Sequence, residues 1–279
     1  MTLYSGLRDS SMRPAMNTAG IAALGALLLA SCTGPTRRAD ALARDLGFQK
    51  QIDVGDGFRH VVYRNAALTE NGILHVYIDG DGTPYRRPGS TASDPTPHNP
   101  LMLRLMALDP AHSIYMGRPC YFGLYRDDAC SPSFWTLRRY GTEVLESMQA
   151  ALLAEMAEAR ATRVALFGHS GGGTLAVLLA ERMNVVTRVI TLGANLDIAA
   201  WSDLHHFTPL LGSINPVEEP RGRVALQILH VVGENDTNTP AVLVQAAAGK
   251  RGEPVRVVAH FDHTCCWESL WPALLRESP

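Results

Sequence analysis

Gly168-His169-Ser170-Gly171-Gly172 fits the pattern G-x-S-x-G, in a setting that gives the serine a chemical use. The apolar run Val164–Phe167 before it reads as a buried strand, and Gly172–Arg182 after it reads as a helix. A serine between strand and helix sits on a tight, strained turn, and small flanking residues keep side chains from colliding there. The helix N-terminus then aims backbone N–H groups at any negative charge that develops nearby. The segment lacks a Gly-Lys-Ser/Thr ending and the chain lacks a G-x-G-x-x-G pattern, so a phosphate loop is the weaker reading.

A serine hydroxyl is a poor nucleophile and needs a base, which in turn needs an acid to orient it. After a strand–turn–helix serine, the expected chain order is acid and then histidine. The strand Gln227–Val232 runs into Gly233-Glu234-Asn235-Asp236, which places Asp236 just past a strand end. Glu234 and Asp262 are the alternative acids. The strand Val255–Ala259 runs into Phe261-Asp262-His263-Thr264, so His263 falls in the loop before the last helix. The expected catalytic set is Ser170, Asp236 and His263. His169 is expected to orient or pack near Ser170 rather than act as the base.

A developing oxyanion needs two amide donors. Gly171 supplies one, from the start of the helix. The strand Ile73–Ile78 leads into Asp79-Gly80-Asp81-Gly82, and the amide of Asp81 is the expected second donor, with Gly82 as the alternative. Two carboxylates beside an oxyanion would oppose its charge. Asp79 and Asp81 must therefore turn away, pair with a group such as Arg86, or meet a donor on the substrate.

The elements that must hold these residues alternate along the chain. Apolar, β-branched stretches at Phe58–Tyr63, Ile73–Ile78, Ser113–Met116, Val164–Phe167, Val186–Leu192, Val224–Val232 and Val255–Ala259 read as strands. Helices are expected at Arg37–Leu46, Asn99–Leu108, Thr142–Ala159, Gly172–Arg182, Ala241–Ala248 and Cys266–Leu275. In Thr142–Ala159, apolar residues recur at three- and four-residue steps from Val144 to Met156. Alternating strands and helices imply an α/β fold, with a mainly parallel sheet covered on both faces and an antiparallel start. The connection at about 195–223 is long enough to be a lid. Within it, Trp201 and Phe207 either line a pocket or bury the lid's own apolar face, and His205 and His206 belong to a pocket wall or the surface.

The sequence has 279 residues, of which 46% are hydrophobic and 19% charged, with a net charge of -2. This composition argues against a disordered chain or a polytopic membrane protein, and the near-neutral charge gives no reason to expect a nucleic-acid partner. Five cysteines leave one over from any pairing. Arg8 and Arg13, the short apolar run Ala19–Ala30 and the ending Leu29-Ala30-Ser31-Cys32 resemble a bacterial lipoprotein signal, whose cysteine is lipidated after cleavage. Met12 would give a more typical signal length than Met1. The expected organisation is a signal over 1–31, a tether and helix over 32–48, and one domain over 49–279. Acyl chains on Cys32 would hold the protein at a bacterial cell envelope, with the outer membrane favoured by Thr33 at the next position. Cys120 and Cys130 would then close a short disulfide loop in an oxidising compartment. Cys265 and Cys266 could bond to each other, pair elsewhere or stay reduced. No CxxC pair exists, so structural zinc is not expected, and a serine triad needs no metal or cofactor.

The Gly-Arg-Pro-Cys120 loop, the Gly-His-Ser170-Gly-Gly-Gly turn, Asn195-Leu-Asp and Asp-His263-Thr-Cys-Cys-Trp together resemble the α/β-hydrolase fold from about Gln49 to Arg276. They are similar to bacterial lipoprotein hydrolases of unassigned substrate. The resemblance implies a Ser–His–Asp serine hydrolase acting on a small-molecule acyl substrate, without naming it. An ester hydrolase is the first expectation. A peptidase, amidase or acyltransferase on the same triad is the second, and an inert envelope lipoprotein that binds a ligand or partner is the third.

Overall fold

The computed structural model describes residues 34–67, 72–87, 89–219 and 225–277. Cys32 and the expected signal lie outside the described residues.

An eight-stranded sheet forms the centre, built from β1 (Gln49–Val54), β2 (Arg59–Arg64), β3 (Ile73–Ile78), β6 (Ser113–Met116), β7 (Arg163–His169), β8 (Val186–Leu192), β9 (Gln227–Gly233) and β10 (Val255–Val258). Its order is β1-β2-β6-β3-β7-β8-β9-β10. A separate hairpin pairs β4 (Tyr85–Arg87) with β5 (Ser90–Thr91). Antiparallel pairing is confined to β1 with β2 and β2 with β6. All other pairs in the large sheet are parallel. Ile73–Ile78 is therefore a parallel strand lying between β6 and β7, and not the partner of the strand before it in sequence. β1 has no apolar run, and its residues are mostly exposed at the sheet edge.

Strand alternation divides the sheet into two buried faces. In β7, Val164 and Leu166 enter one core, while Ala165 and Phe167 enter the other. β3 does the same with Val76 on one face and Tyr77 on the opposite face. The first face is covered by α3 (Thr142–Ala159), α4 (Gly171–Arg182) and α6 (Ala241–Arg251), and the second by α1 (Pro35–Asp45), α2 (Leu101–Met106) and α7 (Trp267–Arg276). The apolar residues expected to face inward from α3 are all buried. α4 is buried along nearly its whole length because it packs between the sheet and α3, which is why its sequence is apolar all round. α1 is docked rather than free. Ala39 and Ala43 are buried, and Tyr63 donates to Asp40 at 2.6 Å.

The long connection after β8 holds α5 (Ile198–Leu204), which is capped by the Asp197 carboxylate accepting from the Ala200 amide at 3.2 Å. Cys120 is bonded to Cys130, and Cys265 to Cys266. Among the described residues, no helix is long and apolar enough to cross a membrane, and no cluster of residues could hold a metal ion.

Candidate active site

Ser170, Asp236 and His263 all lie on loops at the C-terminal edge of parallel strands, after β7, β9 and β10. Ligand sites in open α/β sheets gather at this edge because each strand delivers its following loop there. Ser170 has φ 51° and ψ -125°, a left-handed conformation unusual for a residue with a Cβ. Hydrogen bonds hold it in place: its amide donates to Leu192 O at 2.8 Å, and its carbonyl accepts from the Gly173 amide at 2.9 Å. The first N–H groups of α4, including that of Gly171, begin at this turn and have no acceptor inside the helix.

His263 donates from Nδ1 to Asp236 Oδ2 at 2.8 Å. This bond leaves Nε2 as the basic nitrogen. The other Asp236 oxygen accepts from the amides of Asn238 at 2.9 Å and Thr239 at 2.8 Å, so the acid is anchored from both sides. Asp236 is 3% exposed, as expected for an orienting acid kept from water. The alternatives serve the loops instead. Asp262 accepts from the amides of Thr264 and Cys265, and Glu234 from that of His260. Burial pushes the His263 imidazole below its ordinary range, the Asp236 bond opposes that shift, and His169 adds to it. Ser170 and His263 line the same cavity of about 940 Å³.

His169 packs against His263 and holds its backbone. Its Nε2 donates to the His263 carbonyl at 2.7 Å, and Trp267 Nε1 donates to the same oxygen at 3.3 Å. The two imidazole rings lie 4.7 Å apart.

Asp81 lies in the loop after β3 from which the oxyanion reading draws a backbone donor, and its carboxylate is clamped. Oδ1 accepts from Arg118 at 2.5 Å, and Oδ2 accepts from Arg139 and Tyr140, each at 2.7 Å. The partners are Arg118 and Arg139, and not Arg86, which donates to Ser93 Oγ. Burial alone would raise the Asp81 pKa, but the two guanidiniums outweigh it and hold the carboxyl well below the usual carboxylate range. The clamped carboxylate occupies the space beside the Gly171 Cα, where any Cβ would collide with it. Asp79 faces the other way, accepting from the amides of Gly80 at 3.0 Å and Met102 at 3.2 Å. Arg118 belongs to the Gly-Arg-Pro-Cys120 loop already singled out in the sequence. Nothing in the sequence marks Arg139 or Tyr140.

The lid helix leans on the acid loop. Trp201 Nε1 and His205 Nε2 both donate to Asn238 O, at 2.9 and 2.7 Å. Trp201 and Phe207 pack ring to ring at 5.2 Å, and both line the cavity with His206. The lid therefore both buries part of its apolar face and forms a pocket wall.

No family profile matches the sequence, and no curated protein matches it. Solved structures do. A membrane phospholipase A described as a bacterial virulence factor superposes with a TM-score of 0.53 at 13% identity, over 92% of this chain and 96% of that one. An esterase from Pyrococcus furiosus gives 0.57 at 11% identity, over 84% and 92%. An α/β serine hydrolase without lid from Xanthomonas campestris gives 0.53 at 10% identity, over 83% and 97%. The chain has the α/β-hydrolase fold. Within that fold, Ser170 stands at the strand–helix turn after β7, with the Asp236–His263 pair on the loops after the last two strands, β9 and β10.

Proposed function

We propose that this α/β-hydrolase-fold protein is a serine hydrolase that cleaves an ester bond through an acyl-enzyme. The observation that carries the reading is the 2.8 Å Asp236–His263 bond beside a strained Ser170 in one shared cavity. The Ser170 hydroxyl attacks the carbonyl carbon while His263 Nε2 takes its proton. Asp236 holds the imidazole tautomer and stabilises the imidazolium that forms. The amides of Gly171 and Asp81 receive the oxyanion. The imidazolium returns the proton to the leaving alcohol, and water, activated by the same His263, resolves the acyl-enzyme. No hydrogen bond joins Ser170 Oγ to His263 Nε2 among the described residues, and in free enzymes such contacts commonly tighten only with substrate bound. The apolar cavity wall of Leu101, Trp201, Phe207 and Leu210 suits an acyl chain. The solved neighbours include an esterase and a phospholipase beside a puromycin-hydrolysing peptidase, so their names support acyl hydrolysis, and the choice of an ester rests on the apolar cavity wall. A lipid on Cys32 would keep the enzyme at the bacterial envelope.

The test is labelling with a fluorophosphonate probe. Wild type is expected to label and Ser170→Ala to show none, with an unchanged circular dichroism spectrum. Labelling that survives in Ser170→Ala would place the nucleophile elsewhere.

A further inference from the structure

We propose that the cavity beside Ser170 selects esters whose acid or alcohol half carries a carboxylate or phosphate, bound by Arg139, Arg86 and Arg87. The inference rests on the serine-hydrolase reading of the same cavity and adds a substrate class to it. The cavity is lined by four arginines against two aspartates. Both aspartates are already engaged. Asp81 accepts from Arg118, Arg139 and Tyr140, and Asp79 accepts from two backbone amides. Asp79 keeps its charge, and the four arginines still exceed the two carboxylates by two.

The Asp81 cluster itself carries one positive charge more than its carboxylate can balance, because two guanidiniums share it. Arg139 is 4% exposed. Its Nε donates to Thr136 O at 2.6 Å and its Nη1 to Asp81, while its Nη2 makes no hydrogen bond to any described residue. Arg139 lines the cavity. A guanidinium held this far from water gains most from a ligand that brings both an acceptor and a negative charge.

The β4–β5 hairpin adds two more cations at the cavity. Arg87 has no ion-pair or hydrogen-bond partner among the described residues, and Arg86 bonds only the neutral Ser93 hydroxyl. Arg104 differs, since Glu268 at 2.7 Å already balances it. The unmatched charge is therefore concentrated on Arg86, Arg87 and the Asp81 cluster. A concave wall lined by one sign of charge focuses its field on the ligand that enters. A neutral ester leaves that charge unmatched, and a cationic one is repelled.

Two matched substrate pairs test the proposal on the mature protein. Mono-p-nitrophenyl glutarate against p-nitrophenyl valerate places the anion in the acid half. 1-Butyrylglycerol 3-phosphate against 1-butyrylglycerol places it in the alcohol half. At least one anionic ester is expected to show a kcat/KM about tenfold above its neutral partner. That advantage should shrink as salt is raised from about 50 to about 500 mM. The exposed-hairpin double variant Arg86→Ala/Arg87→Ala should lower the anionic-to-neutral ratio several-fold, and Arg256→Ala, whose partner is Glu277, should not change it. Ser170-dependent turnover with no anionic preference in either pair would overturn the proposal, as would a preference indifferent to the hairpin variant. Turnover that persists in Ser170→Ala would instead overturn the serine-hydrolase reading beneath it.

Discussion

At the scale of single residues, the protonation of His263 sets the working range. A base must be neutral to accept the serine proton. Burial lowers the His263 pKa below its ordinary 6.5, against the raising effect of Asp236. His263 is thus neutral at pH 7, and activity is lost only as pH falls through the lowered value. The acid limb of kcat/KM is expected to have its midpoint below pH 6.5, measured on a neutral p-nitrophenyl ester so that substrate ionisation does not intrude. A midpoint clearly above that value would contradict the assignment. Asp236→Asn should leave the fold intact and lower kcat by roughly 10³–10⁴-fold, because an amide no longer fixes the tautomer that exposes Nε2 as a base. An effect smaller than about tenfold in the same assay would move the acid to another residue.

At the scale of elements, the turn between β7 and α4 depends on close backbone approach. A Cβ on Gly172 would run into the carbonyls of Ile78 and Asp79, which belong to β3 and its following loop. Both are backbone atoms, at the end of a central parallel strand and just past it, and cannot swing aside. Gly172→Ala is expected to destabilise the protein by about 2–3 kcal/mol in urea unfolding, the usual cost of overpacking a rigid site. A neutral result would mean that the turn relaxes. The same close approach explains why the strand–helix junction holds Ser170 at positive φ: α4 can lie against β3 only if the chain reverses sharply. Trp201 of the helix α5 and His205 just after it both hold the carbonyl of Asn238, two residues from Asp236.

At the scale of the whole molecule, two cores on opposite faces of one sheet do most of the stabilising, and the Cys120–Cys130 bridge serves a local purpose. It spans a separation of 10 residues and closes the loop that also contains Tyr121, whose hydroxyl donates to Asp81 O at 2.9 Å. Arg118 lies just before that loop. Removing the bridge with Cys120→Ser and Cys130→Ser together should cost about 2–3 kcal/mol through the freed unfolded chain. It should also weaken catalysis more than other variants of equal stability, because the Arg118 clamp on Asp81 loosens. Thermal melts and esterase assays on the same preparations separate the two effects. Equal activity at equal stability would confine the bridge to a stabilising role.

The sequence by itself determined whatever repeats locally. The period of α3, the apolar runs of β3 and β7, and the order Ser170, Asp236, His263 are all written in neighbouring residues, because helix and strand periods and strand-end loops span only a few positions. The polar edge strand β1 left no such trace, since a strand that is exposed needs no apolar run. The place of β6 between β2 and β3 was equally hidden, because pairing order is not encoded in either strand alone. Asp81 was visible as an awkward carboxylate beside an expected oxyanion. Only the tertiary structure supplied its partners, Arg118 and Arg139, which lie 37 and 58 residues away in sequence. A buried charge is balanced by whichever opposite charge folding brings within a few ångströms, and sequence spacing does not record that distance.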